Sequence, residues 1–432
     1  MKNSQKPKAK SQSIVEQRYL LPFVLVTSMF MLWGLANNMT DTLLAAFRKI
    51  MQMSDTQTSF IQMAFYGAYF CIALPAALFI RKYSYKSGVV MGLVLYAAGA
   101  ILFLPAAWVE SYAFYLIAIY IMASGCSVLE TASNPYIMSM GSPETATRRL
   151  NIAQSFNPLG SIMGIMISKY FILQDISLYS VSGTYAALGC VLLAIMVVML
   201  FARMPEGKNS ELSTALNSPL GRRTLARQEL STLNSIRRLY HNRVYRWGVV
   251  AQFFYVGAQI GAWSFTIRLV MKELGHVEAE AATIYLASII GFCMSRFVYT
   301  WLMKYVAPGQ LLAAGATLSA LSTMVVVLCS GWTAVVALVM VSIFMSLMFP
   351  TIYGIALGDV ENPAKGGNEG DAKIGASGLI MAILGGALLT PLQGMVSDAA
   401  GINVSYLVPL GCFVVVLLYA LFCSSQKTKH NS

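Results

Sequence analysis

The run LLPFVLVTSMFMLWGLANNMTDTLL, residues 20–44, decides the fold. From Leu20 to Ala36 it carries no charge, and the whole run, at about 1.5 Å per residue, is long enough to cross a hydrocarbon core of ~30 Å as a helix. Asn37, Asn38 and Asp41 then break the apolar composition. A second acid, Glu130, sits midway through the apolar run 112–140. An acid at the centre of a membrane helix costs roughly 2.5–3.5 kcal/mol on insertion scales, so such a residue faces a partner or a watery cavity and marks a proton or substrate pathway.

The rest of the chain repeats this pattern. Hydrophobic residues make up 57% of 432 positions and charged residues 11%, a balance that soluble chains do not show. Further apolar runs lie at 59–80, 88–107, 112–140, 150–173 and 179–201, and at 247–271, 281–303, 311–330, 333–357, 374–397 and 405–422. The expectation is an all-α membrane protein with twelve transmembrane helices in two six-helix halves. The parts are a basic tail (1–19), a first bundle (20–201), a linker (202–246), a second bundle (247–422) and a short tail (423–432). The first run is too long for a cleaved signal peptide and lacks a small-residue cleavage site.

With both termini in the cytoplasm, the tails and the loops on their side hold 24 of the 30 Lys and Arg residues. The opposite loops hold Arg48, Lys49, Lys169, Arg268 and Lys272, and Arg296 lies within a helix. The positive-inside rule selects this orientation. The formal charge of +12 therefore reflects topology, and no nucleic-acid partner is expected. The linker carries nine basic and three acidic residues and suits an anionic lipid leaflet. The seven cysteines fall singly, with no CxxC pair, which reads as packing and not as disulfides or a metal site. No cofactor is expected.

A weak internal repeat ties the halves together. Basic turns join the second and third runs of each half, Arg81 to Gly88 and Lys304 to Gly309, and the fourth runs carry Asn134-Pro135-Tyr136 and Pro350-Thr351-Ile352-Tyr353 at matching places. Two such halves around a long central loop are the plan of the major facilitator superfamily, whose sites lie at the midplane between halves.

Polar residues fall in stripes at helical spacing. Trp33, Asn37 and Asp41 share a face of the first helix, with Asn38 beside them; Glu130 and Asn134 share one on the fourth. The fifth carries Asn151, Gln154 and Asn157, and the seventh Gln252, Tyr255, Gln259 and Trp263. Single amides in membrane bundles often only join helices, at an average of about 0.6 kcal/mol. Four stripes of donors, acceptors and flat aromatic faces suit a neutral polyhydroxylated ligand. Asp41, toward the outer end of its helix, is the candidate proton site, and the deeper Glu130 the link between sugar and proton. Arg296 is assigned to structure near the cytoplasmic gate. All three histidines, His241, His276 and His430, fall outside the apolar runs, so proton traffic would use carboxylates. No HExxH, P-loop, Ser/His/Asp set or paired intramembrane aspartate motif is present, and no enzymatic activity is expected.

The segments Trp33-Gly34-Leu35-Ala36-Asn37-Asn38-Met39-Thr40-Asp41, Leu129-Glu130-Thr131-Ala132-Ser133-Asn134-Pro135-Tyr136, Asn151 to Asn157 and Ala251 to Gln259 resemble those of the fucose–galactose–glucose proton symporter family over nearly the whole chain. The resemblance implies import of L-fucose or a related monosaccharide with a proton, by alternating access, in a bacterial inner membrane, by a chain that works as a monomer. It matches Asp41 to the protonatable acid of the first helix, Glu130 to the coupling acid of the fourth, and Asn38, Gln154 and Asn157 to polar residues near the sugar. A glucose/galactose–proton symporter is the alternative, and a non-transporting sugar sensor the alternative of another class. Leu347 and Met348 are apolar where a more polar pair occurs in the fucose branch.

Overall fold

A computed structural model describes residues 14–50, 55–172, 177–204, 232–362 and 367–431. Among them the chain is helical throughout, with no strand. Twelve long segments emerge: α1 (Leu20–Ile50), α2 (Asp55–Lys82), α3 (Tyr85–Val109), α4 (Tyr112–Ser139), α5 (Ala146–Gln154 continued by Asn157–Ile167), α6 (Leu178–Phe201), α7 (Arg243–Leu274), α8 (Glu278–Leu302), α9 (Pro308–Leu328), α10 (Gly331–Glu361), α11 (Glu369–Ala400) and α12 (Leu407–Asn431). Ten are long and apolar enough to cross a membrane. The remaining two, α5 and α7, are amide-striped helices that also take in charged residues near their ends, Arg148 and Arg149 on α5 and Arg243, Arg246, Arg268, Lys272 and Glu273 on α7, as expected of helices that turn a polar face to a cavity.

Several boundaries differ from those expected. α7 begins at Arg243, so the end of the linker is its first turn, and Thr232–His241 forms a separate linker helix. α12 runs helically to Asn431, through most of the expected tail. Helices continue beyond the hydrocarbon because their backbone bonds are as well made in the interface, whereas hydropathy marks only the apolar stretch. Linker residues 205–231 lie outside the described residues.

Breaks occur where backbone donors are missing or turns tighten. α5 is interrupted at Ser155–Phe156, just before Asn157-Pro158, and α10 at Ser346–Leu347, just before Pro350. Proline removes the N–H that would bond the carbonyl four residues back. Close backbone approaches knit each half. A Cβ on Gly160 of α5 would fall on the Met31 carbonyl of α1, and one on Gly385 of α11 would fall on the Phe253 carbonyl of α7. The same crossing thus recurs in both halves, in agreement with the weak repeat. Small residues permit it, since membrane helices associate through close packing and not through water exclusion.

The two halves meet on the face that carries both chain ends. There the Asn151 side-chain amide of α5 donates to Thr351 Oγ1 of α10 at 3.3 Å. The Lys373 ammonium of α11 lies 4.6 Å from the ring centre of Tyr85 on α3, which itself stacks on Tyr136 of α4. The linker helix joins this closure: Arg238 donates twice to the Asp371 carboxylate of α11, at 2.6 Å each, and Arg81 of α2 donates to Ser235 at 3.1 Å.

Candidate transport site

Glu130 is 3% exposed, in the interior of the membrane helix α4, nearer its Ser139 end. Both of its carboxylate oxygens are buried without a hydrogen bond among the described residues. One turn further on, Asn134 is fully buried, and its Oδ1 accepts a 2.9 Å bond from Gln154 Nε2 of α5. Asn134 also approaches Glu130 and the Tyr353 hydroxyl of α10 without a formed bond. The acid, the two amides and a tyrosine from the other half therefore form one polar cluster. A carboxyl in such a place needs either a proton or a set of donors, because an unmet charge in a low-dielectric interior costs several kcal/mol.

Trp33 of α1 donates its indole N–H to the Tyr69 hydroxyl of α2. Tyr69 is fully buried and interacts electrostatically with Glu130. Asn157 donates to the Phe30 carbonyl of α1 at 3.3 Å, which fixes the entry of α5's second segment against α1. Asn38 donates to the Gly34 carbonyl of its own helix at 3.1 Å. The side chains of Asn37 and Asp41 lie outside the described residues, although both positions are on α1.

In the second half the α7 stripe divides. Gln252 and Tyr255 are fully buried, and neither the Gln252 amide nor the Tyr255 hydroxyl has a hydrogen bond among the described residues. Gln259 is half-buried. Trp263 donates to Ser342 Oγ of α10 at 3.2 Å and meets Phe292 of α8 edge-on at 5.0 Å, so its contacts are within its own half. Arg296 is 3% exposed and donates to two main-chain carbonyls, Ser346 at 2.7 Å and Gln154 at 3.0 Å. Among the described residues it makes no ion pair.

Sequence reading missed Tyr69, Tyr353, Gln393 and the Arg238–Asp371 pair. Tyr69 and Tyr353 look like any lipid-belt or core tyrosine in sequence; only folding brings them to Glu130. Gln393 is fully buried with both amide atoms unbonded among the described residues, and its Oε1 lies against Gly261 of α7. It was detectable as a lone amide in an apolar run. The Asp371 carboxylate holds the Arg238 guanidinium above its ordinary value, chiefly through the hydrogen bonds between them. No group of three His, Cys, Asp or Glu side chains that could hold a metal exists among the described residues.

Residues 23–367 match the Major Facilitator Superfamily model. The chain is 39% identical to the L-fucose-proton symporter of Haemophilus influenzae, over 94% of this chain and 97% of the relative. It is 34% identical to that of Escherichia coli (95% and 94%) and 30% identical to the glucose/galactose transporter of Brucella abortus (95% and 96%). Its fold superposes on the crystal structure of the transporter FucP in the outward conformation with a TM-score of 0.82, at 34% identity and covering 94% of this chain and 99% of that one. By fold, charge asymmetry and likeness together, the chain belongs to the major facilitator superfamily, in the group that contains the L-fucose-proton symporters and the glucose/galactose transporters.

Proposed function

We propose that this protein imports L-fucose together with a proton by alternating access, as a monomer in a bacterial inner membrane with both termini in the cytoplasm. The observation that carries the reading is Glu130: a buried acid with both oxygens unbonded among the described residues, beside the bonded amide pair Asn134 and Gln154 and near Tyr353 of the other half. Relatives named as L-fucose-proton symporters, 39% and 34% identical over nearly the full length, support the substrate. With the termini in the cytoplasm, closure on the chain-end face is the outward-facing arrangement.

In this mechanism Asp41 takes its proton from the exterior. Sugar hydroxyls bind among Trp33, Asn37, Asn38, Glu130, Asn134, Gln154 and Asn157 on one side and Gln252, Tyr255, Gln259 and Trp263 on the other. Glu130 accepts hydrogen bonds from sugar while charged and passes a proton when neutral. Loaded and empty states must prefer different conformations, and titrating a buried acid supplies that difference. Arg296 belongs to the closure and not to the proton path. The chain acts as a carrier without enzymatic chemistry.

A second reading, glucose or galactose as the sugar, is favoured by Leu347 and Met348, both fully buried at the break of α10 where the fucose branch is more polar. Purified protein in liposomes, with a panel of monosaccharides competing for uptake under an imposed pH or sodium gradient, tests both. Uptake of L-fucose driven by a pH gradient alone is the expected result. Preference for glucose or galactose would move the substrate to the second reading, and uptake that follows sodium would sink proton coupling.

A further inference from the structure

Arg296 donates to two carbonyls that share a property. The Gln154 carbonyl lies four residues before Pro158, and the Ser346 carbonyl four residues before Pro350. Each has lost its helical donor, because proline has no N–H. A bare carbonyl within a membrane is costly, and prolines in membrane helices survive when neighbouring groups satisfy the freed acceptor. Here one buried guanidinium serves both, with its Cζ 4.6 Å from the ring centre of Phe292.

The two carbonyls belong to different halves. The Ser346 side is reinforced within the second half: Ser295, the residue before Arg296, donates to the Ile343 carbonyl at 2.9 Å and to Ser346 Oγ at 2.8 Å. α8 and the α10 break therefore form one unit. Of the two Arg296 bonds, the one from Nη1 to Gln154, at 3.0 Å, crosses to the first half. Gln154 is also the residue whose side chain holds Asn134, one turn from Glu130. We propose that Arg296 is a positioning residue that staples the two proline-broken helices across the halves, so that opening the chain-end face requires it to release the Gln154 carbonyl. The inference rests on the transporter reading, yet its central measurement reports conformation whether or not any sugar moves.

The test uses Thr351→Cys as a reporter, since Thr351 is fully buried where α10 meets Asn151 of α5. A membrane-impermeant maleimide is applied to the chain-end face of the full-length protein in inside-out vesicles. Arg296→Gln is expected to raise the labelling rate at least about tenfold, as loss of a charge-assisted bond implies. Arg296→Lys, a compact donor without the rigid fork, is expected to fall between. Pro158→Ala returns the missing N–H to Gln154. In that background Arg296→Gln is expected to change labelling by less than about threefold, a non-additivity that ordinary destabilisation would not produce. Unchanged labelling in Arg296→Gln would overturn the staple, as would an Arg296→Gln effect of the same size with and without Pro158. If Arg296→Gln accumulates poorly, the Lys variant and its Pro158→Ala double variant decide by the same two criteria.

Discussion

Gly160→Ala is the sharpest test of how the fold holds the site. A Cβ at Gly160 would lie on the Met31 carbonyl oxygen, 2.6 Å from its carbon and 3.0 Å from the Leu35 nitrogen. Every obstacle is backbone, so no side chain can swing aside, and α1 and α5 must part by about 1 Å to reach ordinary contact. Overpacking of this kind costs about 1–3 kcal/mol, and the upper end applies where backbone meets backbone. At roughly 2–4 °C per kcal/mol for a unit of 150–250 residues, the melting temperature should fall by about 6–12 °C. The same separation would pull Asn157 away from the Phe30 carbonyl, now 3.3 Å away, and a 1 Å misplacement at a reacting or binding site costs on the order of 100-fold. The assay is thermal unfolding of the detergent-solubilised protein, followed by sugar uptake in liposomes. Gly183→Ala on α6 is the control, because a Cβ there meets nothing within 4 Å. If Gly160→Ala melts and transports like Gly183→Ala, the close crossing does not position α5 and the reasoning fails.

Four further outcomes are expected. Asp41→Asn should abolish accumulation driven by a pH gradient while sugar exchange at equal pH persists, and full gradient-driven uptake by that variant would remove Asp41 from coupling. Glu130→Gln should weaken sugar binding and lower proton stoichiometry; intact values of both would sink the relay. Gln154→Leu leaves Asn134 Oδ1 buried without its 2.9 Å donor, at a cost of about 1–3 kcal/mol, read as a lower melting temperature and a raised KM for sugar. Arg238→Ala should free the linker helix from α11 at a cost of about 1 kcal/mol, since the arginine side chain is 41% exposed and screened by solvent. The partner raises the Arg238 value above an already high one. The pair's contribution is therefore complete where both partners are charged, from above the ordinary carboxylate range up to that value, and should not vary between pH 5 and 9 in a melting series.

Much of the site was legible because membrane helices obey simple periodicity. Asn134 and Gln154 stood out as amides in apolar runs, and their mutual bond follows once α4 and α5 pack together. Trp263 also stood out, but its spacing on α7 said nothing about its rotamer, which turns it to Ser342 and Phe292. Tyr69 and Tyr353 were invisible because a tyrosine has no periodic signature that separates a site residue from a packing one. The ends of α7 and α12 were misjudged for another reason: hydropathy reports where lipid tails end, and helical hydrogen bonding does not stop there.

By itself the sequence determined a helical, twice-repeated membrane protein, its likeness to sugar symporters and the two acids worth testing, because burial in lipid forces apolar runs of fixed length and makes every intramembrane charge conspicuous. Tertiary structure alone decided which groups meet. It brought Tyr353 of the second half near Asn134, joined Arg238 to Asp371 across 133 residues, and brought Arg296 to the carbonyls that Pro158 and Pro350 leave without donors. Those pairings depend on helix crossings and backbone breaks, and these arise only when side chains distant in the chain compete for the same space.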